Sequence, residues 1–251
     1  MLVAGLALFL FLPISNFVGQ KTAEEQRSRF DMTVENIREG THEEAFEKGE
    51  IDEQGYPIDE NGNRTSGYPF VYDADIKALF EDSVIYNEEL RKSQSSKLIS
   101  EYAYSVPSIN LEKYGIYDGI YGYVYAPSID MTLPVYLGAS EDAMRYGAAH
   151  LTHTSLPVGG EDSNVVLAGH SGYIGRIFFD NLKYLNIGDE VQFTNYWTTL
   201  RYRVVDAKII NEHDSADIYI KDGKDLLTMI TCINRQPSGP DRYIVTCEAI
   251  K

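Results

Sequence analysis

The hydrophobic pattern divides the chain into three unequal parts. Leu2 to Val18 is an apolar run interrupted only by Gly5, Pro13, Ser15 and Asn16, and Lys21 closes it. About 17 residues is the lower limit for crossing a bilayer. No small-x-small cleavage site follows, so the run reads as a membrane anchor rather than a removed signal peptide. Glu24 to Glu50 is charged, with Phe30, Val34, Ile37 and Phe46 as sparse apolar positions. That spacing predicts one or two exposed helices linking anchor to domain. Residues 52–70 carry Gly55, Pro57, Gly62, Gly67 and Pro69 and predict a loop. From Asp73 to Ser100 a helical pattern returns through Ile76, Leu79, Phe80, Val84 and Leu90, with Asp73 as its N-cap.

After about residue 115 the period changes. Short runs rich in Val, Ile, Tyr and Thr alternate with Gly/Pro turns: Gly119–Tyr125, Leu133–Leu137, Asn164–Ala168, Glu190–Thr194, Leu200–Asp206, Leu226–Thr231 and Tyr243–Ile250. Two helical patches interrupt them, Ser140–Tyr146 and Arg176–Leu185. Seven or eight short strands at this spacing predict a mainly β fold, a closed or nearly closed antiparallel barrel with helical insertions. The expected division is residues 1–20 anchor or signal segment, 21–114 a helical and loop region, and 115–251 the barrel. The chain reads as free of internal repeats and of low-complexity tracts.

Composition narrows the partners. Of 251 residues, 22 are basic and 38 acidic, a net charge of −16. Such a surface repels a phosphate backbone, and no Lys/Arg-rich run offsets it, so nucleic acid is excluded as a partner. The 19 tyrosines suit strands and half-buried surfaces, where the ring packs and the hydroxyl stays wet.

The two cysteines, Cys232 and Cys247, are too few for a disulfide framework. Outside the cytoplasm stray thiols oxidise, so a cysteine kept there needs a reason. Cys232 closes the apolar run Leu226–Thr231 and precedes the turn-forming stretch from Ile233 to Pro240; Arg242 then opens the last strand. A strand, a loop and a returning strand bring Cys232 and Arg242 together at one rim. A guanidinium there can favour the thiolate and bind an oxyanion. Cys247 falls five residues further along, roughly 16 Å at ~3.3 Å per residue, beyond disulfide reach; it reads as a core residue. His170 stands where the strand Val165–Ala168 stops, flanked by Gly169 and, after Ser171, Gly172. A histidine at a second strand end is a fitting acid/base partner for a thiol.

Three competing motifs fail on their chemistry. Gly169-His170-Ser171-Gly172-Tyr173 approaches the serine-hydrolase elbow, but Tyr173 stands where the last glycine belongs. His150 and His153 lie three apart in an extended stretch and face opposite sides, which does not suit a metal pair. In Asp59-Glu60-Asn61-Gly62-Asn63 the glycine comes too early for an EF-hand loop.

These contexts, in the order Leu-Ala-Gly-His170, Thr231-Cys232, Arg242-Tyr-Ile-Val, resemble the sortase family over about residues 115–250. Thr154-Ser155-Leu156-Pro157-Val158-Gly159-Gly160-Glu161, Leu133-Pro134-Val135-Tyr136 and Tyr86-Asn87-Glu88-Glu89-Leu90 are similar to the class C, pilus-assembling branch. Class C members often carry an Asp-Pro-aromatic lid motif and a second, C-terminal membrane segment. Neither occurs in these residues, and Tyr68-Pro69-Phe70 is a distant echo of the lid.

The resemblance implies an eight-stranded sortase barrel with N-terminal helices, held outside the membrane of a Gram-positive bacterium. It implies that Cys232 attacks a Leu-Pro-x-Thr-Gly-like sorting signal, that Arg242 supports the tetrahedral oxyanion, and that His170 handles the leaving and incoming amines. The acceptor is a pilin lysine or a peptidoglycan amine, which leaves both pilus assembly and class B-like or housekeeping anchoring open. No metal or organic cofactor is implied. An L,D-transpeptidase and a non-catalytic membrane-tethered binding module are the other readings; the Thr-Cys-Ile-Asn run does not match the Gly-rich cysteine context of the former. Residues 52–72 are the expected lid over Cys232.

Overall fold

The computed structural model describes residues 2–65, 74–97, 104–173, 176–211, 214–235 and 239–250. Two long helices precede the barrel, α1 (Leu2–Glu47) and α2 (Ala74–Lys97). Most of the expected anchor, residues 2–13, lies outside the described side chains. Among the described residues no helix is long and apolar enough to cross a membrane.

The expectation of exposed linking helices is corrected. The middle of α1 docks: Phe30 and Val34 are each 5% exposed. They sit four apart, on one face of a 3.6-residue period. The Phe30 ring meets Tyr123 edge-on at 5.8 Å and Tyr196 at 4.7 Å. Arg27, three residues before it, lies over the rings of Tyr123 and Tyr125. A helix with this few apolar residues is held by their placement, not their number.

The α2 helix buries an unexpectedly polar face. Ile76, Leu79, Ser83, Asn87, Leu90 and Gln94 recur at helical spacing, and all are buried. Ser83 shares a hydrogen bond with the Tyr121 hydroxyl at 2.9 Å. Asn87 donates to the Leu156 carbonyl and accepts from the Leu156 N–H. Gln94 donates to His153 O and accepts from Ile220 N–H. These side-chain amides satisfy backbone groups of loops that no strand reaches. The Asp73 cap and Tyr68-Pro69-Phe70 lie outside the described residues.

Between the helices, Ile51–Arg64 corrects the view that the chain lacks a repeat. Ile51-Asp52-Glu53-Gln54-Gly55 recurs seven residues on as Ile58-Asp59-Glu60-Asn61-Gly62. In each unit the aspartate accepts two backbone N–H groups, and the glycine takes a positive φ, 85° and 78°. The bridges Ile51↔Pro57 and Ile58↔Arg64 close each turn. Bonds such as Ile58 N–H to Glu50 O tie this part of the expected lid back toward the end of α1; residues 66–72 of that lid lie outside the described residues.

The barrel is closed and eight-stranded: β1 (Ile120–Ala126), β2 (Met131–Leu137), β3 (Ala148–His150), β4 (Ser163–Ala168), β5 (Glu190–Asn195), β6 (Thr199–Asn211), β7 (Asp225–Arg235) and β8 (Gly239–Ala249). Their order around the barrel is β1-β2-β3-β4-β7-β8-β6-β5. It is mixed rather than antiparallel, because β2/β3 and β4/β7 run parallel. A parallel neighbour needs a crossover. The β5–β6 hairpin fills that connection for β4 and β7. The expected helix Ser140–Tyr146 shrinks to α3 (Glu141–Met144), capped by the Ser140 hydroxyl. Arg176–Leu185 yields only a 3-10 turn, Leu182–Tyr184.

Inside the barrel, alternate residues of the long strands meet: Val165 and Leu167 of β4, Leu227 and Met229 of β7, Val245 and Cys247 of β8. The intervening residues of the same strands face outward. Val166 and Ile230 pack there against Ile218, Leu151, Tyr104 and Tyr219.

Candidate active site

The outward row of β7 runs Thr228, Ile230, Cys232. Two corrections concern its end. The strand does not stop at Cys232 but continues to Arg235, and β8 begins at Gly239, so the hairpin is longer and tighter than expected. Cys232 is still exposed: β4 ends beside Ile230, while on the other side β8 still pairs with β6 at Ile210↔Arg242. Its cross-strand partner is Arg242. Partners in an antiparallel pair share a face, and Arg242 Nη1 donates to Cys232 Sγ at 3.0 Å. A strand pair thus delivers the two side chains as a preset unit.

His170 reaches the same end of the sheet by a different route. In the parallel β4/β7 pair Ala168 stands beside Ile230. That rung closes with Gly169 N–H donating to Ile230 O at 3.1 Å, and the ladder ends there. His170 follows two residues after Ala168, at the end of the sheet where β7 carries on from Ile230 to Cys232. Gly169 is required here: a Cβ would meet the Phe179 ring at 2.8 Å. Gly172 then turns at φ 73°.

The loop after His170 is organised around its own groups. Asp180 accepts from Gly172 N–H at 2.6 Å and from Phe178 N–H at 2.9 Å, and Phe179 N–H donates to His170 O. The Tyr173 ring stacks on the His170 imidazole at 5.4 Å, and Phe178 backs both rings. Ser171 Oγ donates to Cys232 O at 2.5 Å and Thr231 Oγ1 to Gly169 O at 2.8 Å. A cavity of about 420 Å³ lies beside this loop, lined by Ser171, Phe179, Lys183, Thr231, Ile233 and Tyr243.

Sequence reasoning missed Ser171, Tyr173, Phe178 and Thr231 as neighbours of the candidate residues. The Gly-x-Ser resemblance to an elbow drew attention to Ser171 for the wrong reason. Its hydroxyl is engaged with a backbone carbonyl, not poised as a nucleophile.

The remaining candidates stand apart. Cys247 is fully buried opposite Leu227, both cysteines are free thiols, and burial pushes the Cys247 thiol up to about 12. His150 closes β3 rather than lying in an extended stretch with His153, whose φ is 67°. Its Nε2 lies 3.0 Å from Ser155 O and 3.2 Å from Thr154 Oγ1; its Nδ1 faces Ser108 Oγ at 3.3 Å. Burial pushes its pKa down to about 4, so it is a neutral structural imidazole. Among the described residues no group of three or more His, Cys, Asp or Glu could hold a metal ion.

A family model described as the Sortase domain matches residues 124–250, half of the chain. The chain belongs to the sortase family. It is 26% identical to sortase A of Streptococcus agalactiae over 183 residues, covering 68% of this chain and 72% of that protein. It is also 26% identical to Bacillus subtilis sortase D over 126 residues, covering 49% of this chain and 61% of that protein's length. Among solved structures, sortase C-1 of Streptococcus pneumoniae aligns with a TM-score of 0.65 at 26% identity, over 90% of this chain and 98% of that one. Sortase C1 of S. agalactiae in complex with MTSET aligns at 0.61 and 27%, over 72% and 92%. The mixed eight-stranded barrel is therefore the sortase barrel, and the sortases it resembles in structure are mostly of class C.

Proposed function

We propose that this sortase is a cysteine transpeptidase that cuts a Leu-Pro-x-Thr-Gly-like sorting signal and passes the acyl end to an amine. Cys232 is the nucleophile, Arg242 the oxyanion and substrate anchor, and His170 the acid/base. The observation that carries the reading is the Arg242–Cys232 contact at 3.0 Å, with Cys232 exposed, at the end of the sheet where β4 gives way to His170.

The chemistry follows from those groups. Cys232 gives its thiol proton to His170 as its sulfur attacks the scissile carbonyl, and the oxygen gains negative charge as the tetrahedral intermediate forms. The Arg242 guanidinium presents charged N–H donors to that oxygen. Collapse breaks the C–N bond; the leaving amine takes a proton from His170, and a thioester remains on Cys232. An incoming amine loses its proton to His170, attacks the thioester and releases the sulfur. Covalent catalysis divides one hard acyl transfer into two easier ones.

Pilus assembly is the favoured setting, with a pilin lysine as acceptor. Support comes from the class C neighbours, one of them described as sortase C1 of GBS pilus island 1, aligned at a TM-score of 0.62 and 25% identity. The apolar run Leu2–Val18 is the proposed anchor, and the barrel works outside the membrane. The test presents one sorting peptide with two acceptors, a pilin-derived lysine peptide and a peptidoglycan cross-bridge amine. The pilin product should dominate, and Cys232→Ala, His170→Ala and Arg242→Ala should each abolish or cripple it. Exclusive transfer to the cross-bridge amine would move the enzyme to cell-wall anchoring; no cleavage of any sorting peptide would sink the transpeptidase reading.

A further inference from the structure

The regular β4/β7 ladder ends where the proposed chemistry begins. After Gly169 N–H bonds Ile230 O, a parallel ladder would place its next two rungs on Gly169 O and Cys232 O. Both carbonyls are taken by hydroxyls instead: Thr231 Oγ1 donates to Gly169 O at 2.8 Å and Ser171 Oγ to Cys232 O at 2.5 Å. The two residues flanking His170 are therefore each clasped to β7, one of them to the proposed nucleophile's own carbonyl.

We propose that Ser171 is a positioning residue that keeps the His170 imidazole in register with Cys232, an inference that rests on the transpeptidase reading above. The clasp has a physical use. Gly169 and Gly172 bracket the segment, and glycine gives a backbone little resistance to pivoting. Asp180 ties the loop to itself through Gly172 and Phe178, and Tyr173 and Phe178 pack on the imidazole from within the same loop. Phe178 and Phe179 are each 1% exposed in the core, so they hold His170 from the loop side through the Phe178 ring and the Phe179 N–H bond to His170 O. Ser171 ties the other side of the segment to β7, and Thr231 ties its root. Thr231 is 4% exposed and points to the barrel side, so its hydroxyl is the more structural of the two. Ser171 is only part-buried and can be changed with little effect on the core.

A displacement of the acid/base by about 1 Å can cost roughly 10²-fold in rate. Ser171→Ala should therefore lower kcat for sorting-peptide cleavage by about 10- to 100-fold, with KM within about twofold of wild type. Ser171→Thr keeps a hydroxyl at the same carbon and should restore kcat to within about threefold. Steady-state cleavage and thermal unfolding of wild type, Ser171→Ala, Ser171→Thr and His170→Ala in the full chain give the answer. If His170→Ala loses activity while Ser171→Ala keeps wild-type kcat, the positioning role is wrong and the catalytic reading survives. If His170→Ala keeps its activity, both fail. A kcat loss that threonine does not restore and that tracks a lower melting temperature also overturns the proposal, since it assigns Ser171 to stability alone.

Discussion

Replacing Phe30 by alanine removes the ring that seats α1 on the barrel. The ring is 5% exposed and lies between Tyr123 and Tyr196, with centroids 5.8 and 4.7 Å away. Phe→Ala in a core costs about 3–5 kcal/mol. Phe30 sits at a seam between a helix and a sheet, where neighbours can close part of the gap, so the low end, about 3 kcal/mol, is expected. That weakens docking of α1 by roughly 10²-fold. Val34 and the Arg27 contacts to Tyr123 and Tyr125 remain in the variant, so the barrel itself should stay folded. The assay is urea denaturation together with hydrogen exchange. Amides of residues 22–34 should lose protection while those of β4, β7 and β8 keep theirs. Met32→Ala, at a position 60% exposed on another face, is the control and should change stability by less than about 0.5 kcal/mol. A Phe30→Ala cost below about 1 kcal/mol, with α1 amides still protected, would refute the idea that this ring holds the helix.

Further expectations concern the site and the buried titrating groups. Arg242→Ala should lower kcat/KM by about 10²–10³-fold, as loss of a charged oxyanion donor does, and Arg242→Lys should recover only part of it because the planar fork is lost; a change below about fivefold in a peptide-cleavage assay contradicts the role. Cys247 is buried with its thiol pushed up to about 12, so iodoacetamide at pH 8 should label one thiol of the native protein, and two adducts by intact mass would contradict that burial. His150 is fully buried, with a pKa pushed down to about 4 from 6.5. The unfolded chain then binds the extra proton between those values. The stability His150 preserves is complete above pH 6.5 and falls by about 3 kcal/mol as the pH drops to 4. Urea midpoints at pH 7 and pH 4.5 for wild type and His150→Gln should diverge by that slope; parallel curves would show that His150 is not buried neutral.

The barrel was legible because its strands alternate two-faced patterns between Gly/Pro turns, and seven of the eight appear in the sequence at nearly their final positions. The missing one, β3, has three residues, Ala148–His150, too short to show a period. Antiparallel pairing was inferred from spacing alone, which carries no information on crossovers, so the parallel β2/β3 and β4/β7 pairs went unseen. The pairing of Cys232 with Arg242 was legible because a short loop fixes it locally. His170 could be placed at a strand end, but not at the end of the sheet that carries Cys232, since that depends on β4 lying beside β7 across some 60 residues of chain. The helices were read least well. Phe30 and Val34 look sparse in a charged stretch, and Ser83, Asn87 and Gln94 look solvent-facing on α2. Their burial comes from partners far along the chain, such as the backbone of Leu156, 69 residues from Asn87. The seven-residue repeat at Ile51 and Ile58 was visible in the letters and passed over, because only the turn geometry gives it meaning.

The central claim is that Cys232 carries the acyl group. Incubating the chain with a Leu-Pro-x-Thr-Gly peptide without an acceptor amine, quenching in acid and measuring intact mass tests it directly. The account predicts an adduct equal to the peptide's acyl half, mapped to Cys232, released by hydroxylamine and absent in Cys232→Ala. Cleavage of the peptide by Cys232→Ala, or an acyl adduct on any other residue, would contradict it.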